Sequence, residues 1–365
     1  MKLSHRHLWL AICVAAPMVI RLAGAGNARK SESKMSDVEN RLLLITENTR
    51  SICVGRFIID VPKTAEIVYG PARLPVEIWR HEGEGKDFDS AVKKSIAESE
   101  SRRWLAYGAL REDGSLVGKV MDGVSSNQKI VFGVGRAEGA YYNVQSLVKL
   151  GTDLYVQDYQ AYGEGKNYLK AVNDAREIAK RLRQRLEDEI PGDPGICIDG
   201  AFLADPEHRY MVEAVSVGIR LKEFADVHIS IEMTKKDIYI ASDSLEPRLK
   251  AAEHDAIAQG KGSWYSRIKV LTKAQRRVGN WDGFEAGARI PAQAGGGEHH
   301  EFAFLSHGEP KNPMLPVLDI QLHTGVKDNV IGGTKPSITD AEAIYLWNNV
   351  LGSIRPRPVQ PRNSP

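Results

Sequence analysis

The chain has 365 residues, of which 42 % are hydrophobic and 26 % charged, and a formal net charge of +2. This is enough length for two ordinary domains and a globular composition, which argues against disorder and against several membrane spans. There is no marked excess of Lys and Arg, the electrostatic footprint of nucleic-acid binding, so that class of partner is set aside.

At the N-terminus, Lys2, His5, Arg6 and His7 precede the apolar run Leu8 to Ile20, and the small residues Ala23-Gly24-Ala25-Gly26-Asn27-Ala28 come after it. This is the layout of a secretory signal over residues 1–28. The run is interrupted by Pro17 and is shorter than the roughly 20 residues needed to span a bilayer. Cleavage after Ala28 or Ala25 is therefore expected, with no stable membrane insertion afterwards. Arg21 just past the run keeps an uncleaved anchor as the alternative. Cys13 comes after Ile12 where a lipid-acceptor cysteine wants a small neighbour. Removing residues 1–28 takes away Lys2, Arg6 and Arg21 and no acid, so the charge falls from +2 to −1.

Beyond the signal two cysteines remain, Cys53 and Cys197, and each opens a similar segment. Ile52-Cys53-Val54-Gly55-Arg56-Phe57 runs on to Pro62, and Ile196-Cys197-Ile198-Asp199-Gly200-Ala201-Phe202 runs on to Pro206. The same order of elements comes after each. Past the first, apolar patterning predicts a strand at 74–80, a helix at 87–105, strands at 116–121, 129–134, 143–150 and 154–162, then a helix from Tyr168 to Leu186. Past the second it predicts strands at 211–219 and 227–233, a helix at 245–258, strands at 267–271, 302–305 and 317–323, then a closing helix. That last helix opens on Thr339, with Glu342 completing a capping box. In the first long helix Ala171, Val172, Ala175, Ile178 and Leu182 form one apolar stripe.

Pro191-Gly192-Asp193-Pro194-Gly195 cannot continue a helix and marks a boundary. The expected architecture is α+β: two related domains at 41–192 and 193–356, each a mainly antiparallel sheet with two packed helices. The Pro- and Arg-rich residues 357–365 read as a disordered tail. If the two opening strands are equivalent about a pseudo-twofold axis, Cys53 and Cys197 are candidates for a disulfide, provided their Cα atoms come within about 7 Å. Two buried thiols are the equal alternative.

Chemistry is harder to find. There is no Gly-x-Ser-x-Gly elbow, no His-Glu-x-x-His and no Cys-x-x-Cys. Glu298-His299-His300-Glu301 is the best metal candidate, but adjacent histidines on a strand point to opposite faces, and a polar loop explains the segment. Gly133-x-Gly135-x-x-x-Gly139 departs from the dinucleotide spacing and reads as a turn. Gly163-Glu164-Gly165-Lys166 lacks the rest of a phosphate loop. No catalytic residue, metal or cofactor is expected.

Candidate binding residues are of two kinds. Glu82 and Glu84 stand in a mobile acidic loop that suits a basic partner. Trp264 and Tyr265, and Trp281 and Phe284, sit in glycine-rich segments where aromatics either anchor an interface or turn inward to cap the core.

Cys-x-Gly-Arg-Phe-x-x-Asp-x-Pro at 53–62, Cys-x-Asp-Gly-Ala-Phe at 197–202, Arg277-Val278-Gly279 with Gly283-Phe284-Glu285, and Asp340-x-Glu342-Ala343-x-x-x-Trp347 form an ordered set. Together they resemble the immunity proteins cognate to type VI secretion lipase effectors, over about residues 41–357. The resemblance implies a periplasmic, non-catalytic protein whose two α+β domains grip one phospholipase effector, about 1:1, and block its active site or lid. A periplasmic ligand-binding or chaperone protein without inhibitory action is the alternative.

Overall fold

Strands dominate because short runs of β-branched and aromatic residues alternate with polar ones along most of the chain. In Glu213–Leu221, for example, Val215, Val217, Ile219 and Leu221 are buried while Arg220 is exposed. The structure is a computed structural model that describes residues 42–43, 46–135, 140–208, 210–293 and 295–359. The export signal expected at 1–28, and the tail beyond residue 359, lie outside the described residues.

In chain order the strands are β1 (Thr49–Val54), β2 (Phe57–Pro62), β3 (Glu66–Tyr69), β4 (Ala72–Arg73), β5 (Glu77–His81), β6 (Val120–Asp122), β7 (Gln128–Val134), β8 (Tyr141–Leu150), β9 (Asp153–Tyr162), β10 (Leu182–Gln184), β11 (Gly195–Ile198), β12 (Ala201–Ala204), β13 (Glu213–Leu221), β14 (Phe224–Lys235), β15 (Lys269–Val278), β16 (Trp281–Ile290), β17 (His299–Ser306), β18 (Val317–His323) and β19 (Arg355–Pro356). The helices are α1 (Phe88–Ser101), α2 (Tyr168–Arg181), α3 (Leu245–Ala258), the single turn α4 (Gly262–Tyr265) and α5 (Asp340–Ser353).

Two compact units emerge. The N-half unit holds residues 70–215 with the short segment 54–56, and the C-half unit holds 216–357 with 57–69 and the described residues up to Cys53. Within the N-half unit the strand order is β4-β5-β9-β8-β7-β6. In the C-half unit it is β14-β18-β17-β16-β15, with β13 beside β14. Each contains an antiparallel meander of four strands, β6 to β9 and β15 to β18, whose last strand pairs with an earlier strand, β5 or β14.

Helices cover both faces of each sheet. In the N-half unit Ile130 and Phe132 pack on Ala171, Val172 and Ala175 of α2. Val131, between them, points the other way and packs with Phe88 of α1, as the period of two requires. In the C-half unit Ala303 and Leu305 meet Leu245 and Leu249 of α3. Phe302 stacks against Trp347 of α5 at 5.5 Å on the opposite side.

A small three-stranded sheet completes each unit, and here the parallel between the halves becomes detailed. β10 pairs with β12, and β12 with β11. In the C-half unit β19 pairs with β2, which pairs with β1. Leu182 and Ile354 leave their helices with nearly the same backbone, φ −83°, ψ 128° and φ −85°, ψ 124°. The chain continues as Leu182-Arg183-Gln184-Arg185 in one half and as Ile354-Arg355-Pro356-Arg357 in the other, with Arg185 and Arg357 both buried. The hairpin that opens one half of the sequence therefore closes the sheet of the other half's unit.

Several expectations are revised by this arrangement. The helix predicted to run to Leu186 stops at Arg181, because Leu182 pairs with Leu203 and the gain of a third strand outweighs continued helix; Leu186 is exposed. The helix predicted to Leu105 ends at Ser101 and breaks into short 3-10 turns. The segment around Trp281 and Phe284 is not a loop but strand β16, joined to β15 by the two-residue turn Gly279-Asn280, where Gly279 takes φ 54°. His299–Glu301, read as the end of a polar loop, is the buried start of β17. The start of the expected disordered tail is ordered: Arg357 is buried, and its neighbour Arg355 binds Asp60 through two nitrogens at 2.6 and 3.0 Å.

Candidate functional site

Of the histidines in the Glu298–Glu301 cluster, neither joins the other. His299 places Nε2 3.1 Å from Glu301 Oε1 and Nδ1 2.9 Å from the Gly297 carbonyl. Burial alone pulls the His299 imidazole down, but Glu301 and the Gly297 carbonyl leave it above its ordinary value. His300 points the other way, with Nε2 3.0 Å from Asp340 Oδ1 and Nδ1 2.9 Å from Thr324 Oγ1. No group of three or more metal-binding side chains occurs among the described residues.

Thr324, His300 and Asp340 have the connectivity of a hydroxyl, a base and an orienting acid. Thr324 has no exposed surface, and its Oγ1 also accepts the His300 amide at 2.8 Å. A substrate cannot reach that oxygen, so the array serves to tie β17 to α5.

The aromatic candidates separate cleanly. Trp281 is 1 % exposed, packs on Phe57 at 5.0 Å and donates its indole N–H to the Pro316 carbonyl at 2.8 Å. Tyr265 is also buried. Both take the core alternative and do not offer a free surface. Trp264 and Phe284 are half-buried; Trp264 donates to the Pro291 carbonyl at 3.1 Å, and Phe284 packs on the cluster around Leu245 and Leu249.

Glu82 and Glu84 are exposed, but their loop is pinned, which corrects the expectation of mobility. Asp153 accepts from Gly83 N at 2.9 Å and from Arg80 Nε at 2.8 Å, while Arg80 also reaches Asp199 at 2.9 Å. Gly85 lies so close to this strand that a Cβ there would fall 2.4 Å from the Asp153 carbonyl oxygen.

The loop at the equivalent place in the C-half unit, between β14 and α3, has a different character. Ile238, Tyr239 and Ile240 are 68, 54 and 47 % exposed in one contiguous run. Tyr239 sets its ring edge-on to His307 at 4.4 Å and its hydroxyl 3.1 Å from Ser244 Oγ, which lies 3.0 Å from His307 Nε2. Ser244 is the N-cap residue of α3, yet its hydroxyl makes no cap hydrogen bond and is spent on this link. Burial pulls the His307 imidazole below its ordinary value and Lys236 adds to that.

Beneath the loop is a cavity of about 200 Å³ lined by Glu232, Asp243, Asp319, Lys236, Arg248 and His307, among others. Glu232 and Asp319 stand directly opposite each other in the β14–β18 ladder. Each takes a neutral donor: Thr234 Oγ1 binds Glu232 at 2.9 Å and Gln321 Nε2 binds Asp319 at 3.1 Å. Burial pushes the Asp319 carboxyl above its ordinary value; the Gln321 hydrogen bond opposes this and Glu232 adds to it.

Sequence reasoning missed this loop, since an Ile-x-Ile run after a strand reads as more strand. It also missed Trp104 and Tyr107, which are 72 and 68 % exposed just past α1. Their only signal is the break in helical periodicity there.

Cys53 and Cys197 are both fully buried and disulfide-bonded. Gly55 and Cys197 exchange both backbone hydrogen bonds, at 2.9 and 2.8 Å, in an antiparallel bridge.

Comparison with known proteins gives one family and one fold. No curated protein sequence matches the chain. The immunity protein TplEi of the T6SS from Pseudomonas aeruginosa in its apo structure has a TM-score of 0.66 and 22 % identity, covering 87 % of this chain and 100 % of that one. Complexed with "L" peptide, TplEi gives 0.64 and 20 % over 86 and 100 %. A chain of the Tle4-Tli4 complex gives 0.67 and 22 % over 86 and 99 %. The fold of nearly the whole described chain is thus shared with these proteins. The model of the Tle cognate immunity protein 4 C-terminal domain matches residues 189–359, a little under half of the chain.

Proposed function

We propose that this protein is an immunity protein that binds one cognate type VI secretion phospholipase effector, about 1:1, and holds it inactive by covering its active site or lid. The observation that carries this reading is the family match over residues 189–359, set in a fold shared over 86 % of the chain with T6SS immunity proteins. Inhibition of this kind is stoichiometric and needs no catalytic group of its own. An interface of about 1,200–2,000 Å² is the size expected for stable inhibition. Glu82, Glu84, Trp264 and Phe284 are candidate contributors by virtue of their exposed or half-buried positions.

The same reading places the protein in the periplasm. The N-terminal signal pattern supports export, and disulfide-bonded cysteines suit an oxidising compartment. With Cys13 assigned to the expected export signal, the pairing we infer is Cys53 with Cys197. The Gly55–Cys197 bridge supports the pairing by placing Cys197 opposite a residue two positions from Cys53 along the chain. The boundary at Pro191–Gly195 is the evolutionary one, and the start of the family match at residue 189 supports it.

The decisive experiment titrates the purified protein into the phospholipase encoded beside it and tracks phospholipid hydrolysis. Activity should fall linearly to near zero at one equivalent. Undiminished hydrolysis at excess protein would falsify the reading.

A further inference from the structure

We propose that the β14–α3 loop, Asp237–Ile240, and the acidic cavity beneath it form a docking surface for the effector, with the cavity receiving a Lys or Arg side chain that flanks an apolar contact. This proposal rests on the immunity reading and names the surface and its chemistry.

Three consecutive large residues, Ile238, Tyr239 and Ile240, are exposed together. Exposed apolar residues scattered singly are ordinary, but a contiguous run rimmed by charge marks an interaction site. Here the rim is Lys236, Asp237 and Asp243.

The loop is also held in place. Tyr239 is fixed by the edge-on contact with His307 and by the hydroxyl link through Ser244. The Asp243 amide donates to the Ile240 carbonyl at 3.0 Å, and the Lys311 amide donates to the Lys236 carbonyl at 2.7 Å. An apolar projection already fixed in shape loses little conformational entropy on binding. Ser244 forgoes a helix-capping hydrogen bond to supply part of this hold, at a local cost to α3.

Charge selects the occupant of the cavity. Three carboxylates, Glu232, Asp243 and Asp319, face two cations, Lys236 and Arg248. Glu232 and Asp319 oppose each other across the ladder, where like charges disfavour one another. Both accept a neutral donor, so each keeps acceptor capacity for a charged one. A guanidinium or ammonium group between them relieves the repulsion and completes those hydrogen bonds. About 200 Å³ holds the end of one such side chain and excludes a large headgroup.

The test uses the full-length mature protein and the phospholipase it inhibits, with affinity measured by calorimetry at low and high salt. Ile238→Asp/Ile240→Asp should weaken binding at least about thirty-fold, the loss that defines a hot spot. Glu232→Gln/Asp319→Asn should weaken it about ten-fold at low salt, with the difference from wild type shrinking as salt rises. Both pairs keep side-chain size or lie in exposed positions, and unchanged melting curves verify the fold; Ile238→Ser replaces the first variant if it does not fold. Wild-type affinity in the isoleucine variant overturns the docking surface. Wild-type affinity in the acid variant overturns the basic occupant. A wild-type homodimer that the isoleucine variant abolishes, with lipase affinity unchanged, assigns the loop to a second copy of this chain and also overturns the proposal. Failure of the wild-type protein to inhibit at all instead sinks the immunity reading.

Discussion

Arg56 and Glu213, 157 residues apart in sequence, meet in a buried bidentate pair: Nε lies 2.9 Å and Nη2 2.9 Å from the two carboxylate oxygens. Nη2 also binds Asp205 at 2.6 Å, and the three residues are 3, 7 and 0 % exposed. The guanidinium's fixed fork makes this geometry available to Arg and not to Lys. The tip of the first hairpin is thereby locked into the N-half unit.

Removing Arg56 should be costly, because it takes a bidentate guanidinium away from two buried carboxylates. Arg56→Leu is expected to destabilise the protein by about 3–5 kcal/mol, and Arg56→Lys to recover only part of that. Urea unfolding measures both. A loss under about 1 kcal/mol for the leucine variant would show that the cluster is solvated in solution.

The Cys53–Cys197 pairing makes a direct chemical prediction. Denatured without reductant, the mature protein should react with no equivalents of a thiol reagent, and after reduction with two. Cys53→Ala/Cys197→Ala should lower stability by about 2–5 kcal/mol, the usual cost of losing a native disulfide. Two reactive thiols before reduction would rule the bond out.

Stability should also vary with pH around His299 of β17 and His323 of β18, which stands opposite Glu301. Burial pulls the His323 imidazole below its ordinary value near 6.5; Glu301 opposes this, and His299 and His228 add to it. A group depressed in the folded state contributes stability above its unfolded pKa and loses it as the pH falls from about 6.5 toward the folded value. His299 is raised, so its contribution is present below about 6.5 and is lost as the pH rises through the folded value. Unfolding free energy should therefore decline on either side of a maximum near neutrality. His323→Leu should flatten the acid side and His299→Gln the alkaline side. A variant curve parallel to wild type on its own side counts against that assignment.

Among the tryptophans, burial separates packing from contact. Trp281→Ala should cost about 3–5 kcal/mol, as expected for emptying a site filled by a fully buried indole against Phe57. Glu82→Ala, on the exposed acidic loop, should change stability by no more than about 0.5 kcal/mol. If Glu82 contacts the effector, its loss appears in affinity alone, and a matched drop in melting temperature would contradict this separation.

The repeat was legible because it is written in local pattern. Strand alternation, the stripe Ala171, Val172, Ala175 and Ile178, and the Thr339–Glu342 capping box depend on neighbours in sequence, and the structure keeps all of them. The β15–β16 hairpin had its signal too, in Gly279-Asn280, but its strands carry charged residues on the exposed side and read as loop.

What the sequence determined by itself was the α+β class and the repeated order of elements, while an ordered set of weak motifs carried a resemblance to one family. Tertiary structure alone decided that each opening hairpin completes the sheet of the other half's unit, that Trp281 and Tyr265 turn inward, and that Ile238–Ile240 stand out. These outcomes share one physical cause. Strand pairing and burial are settled between elements that the folded chain brings together, Leu182 with Leu203 as much as Arg56 with Glu213, and no local pattern records which partner an exposed edge or aromatic ring will find.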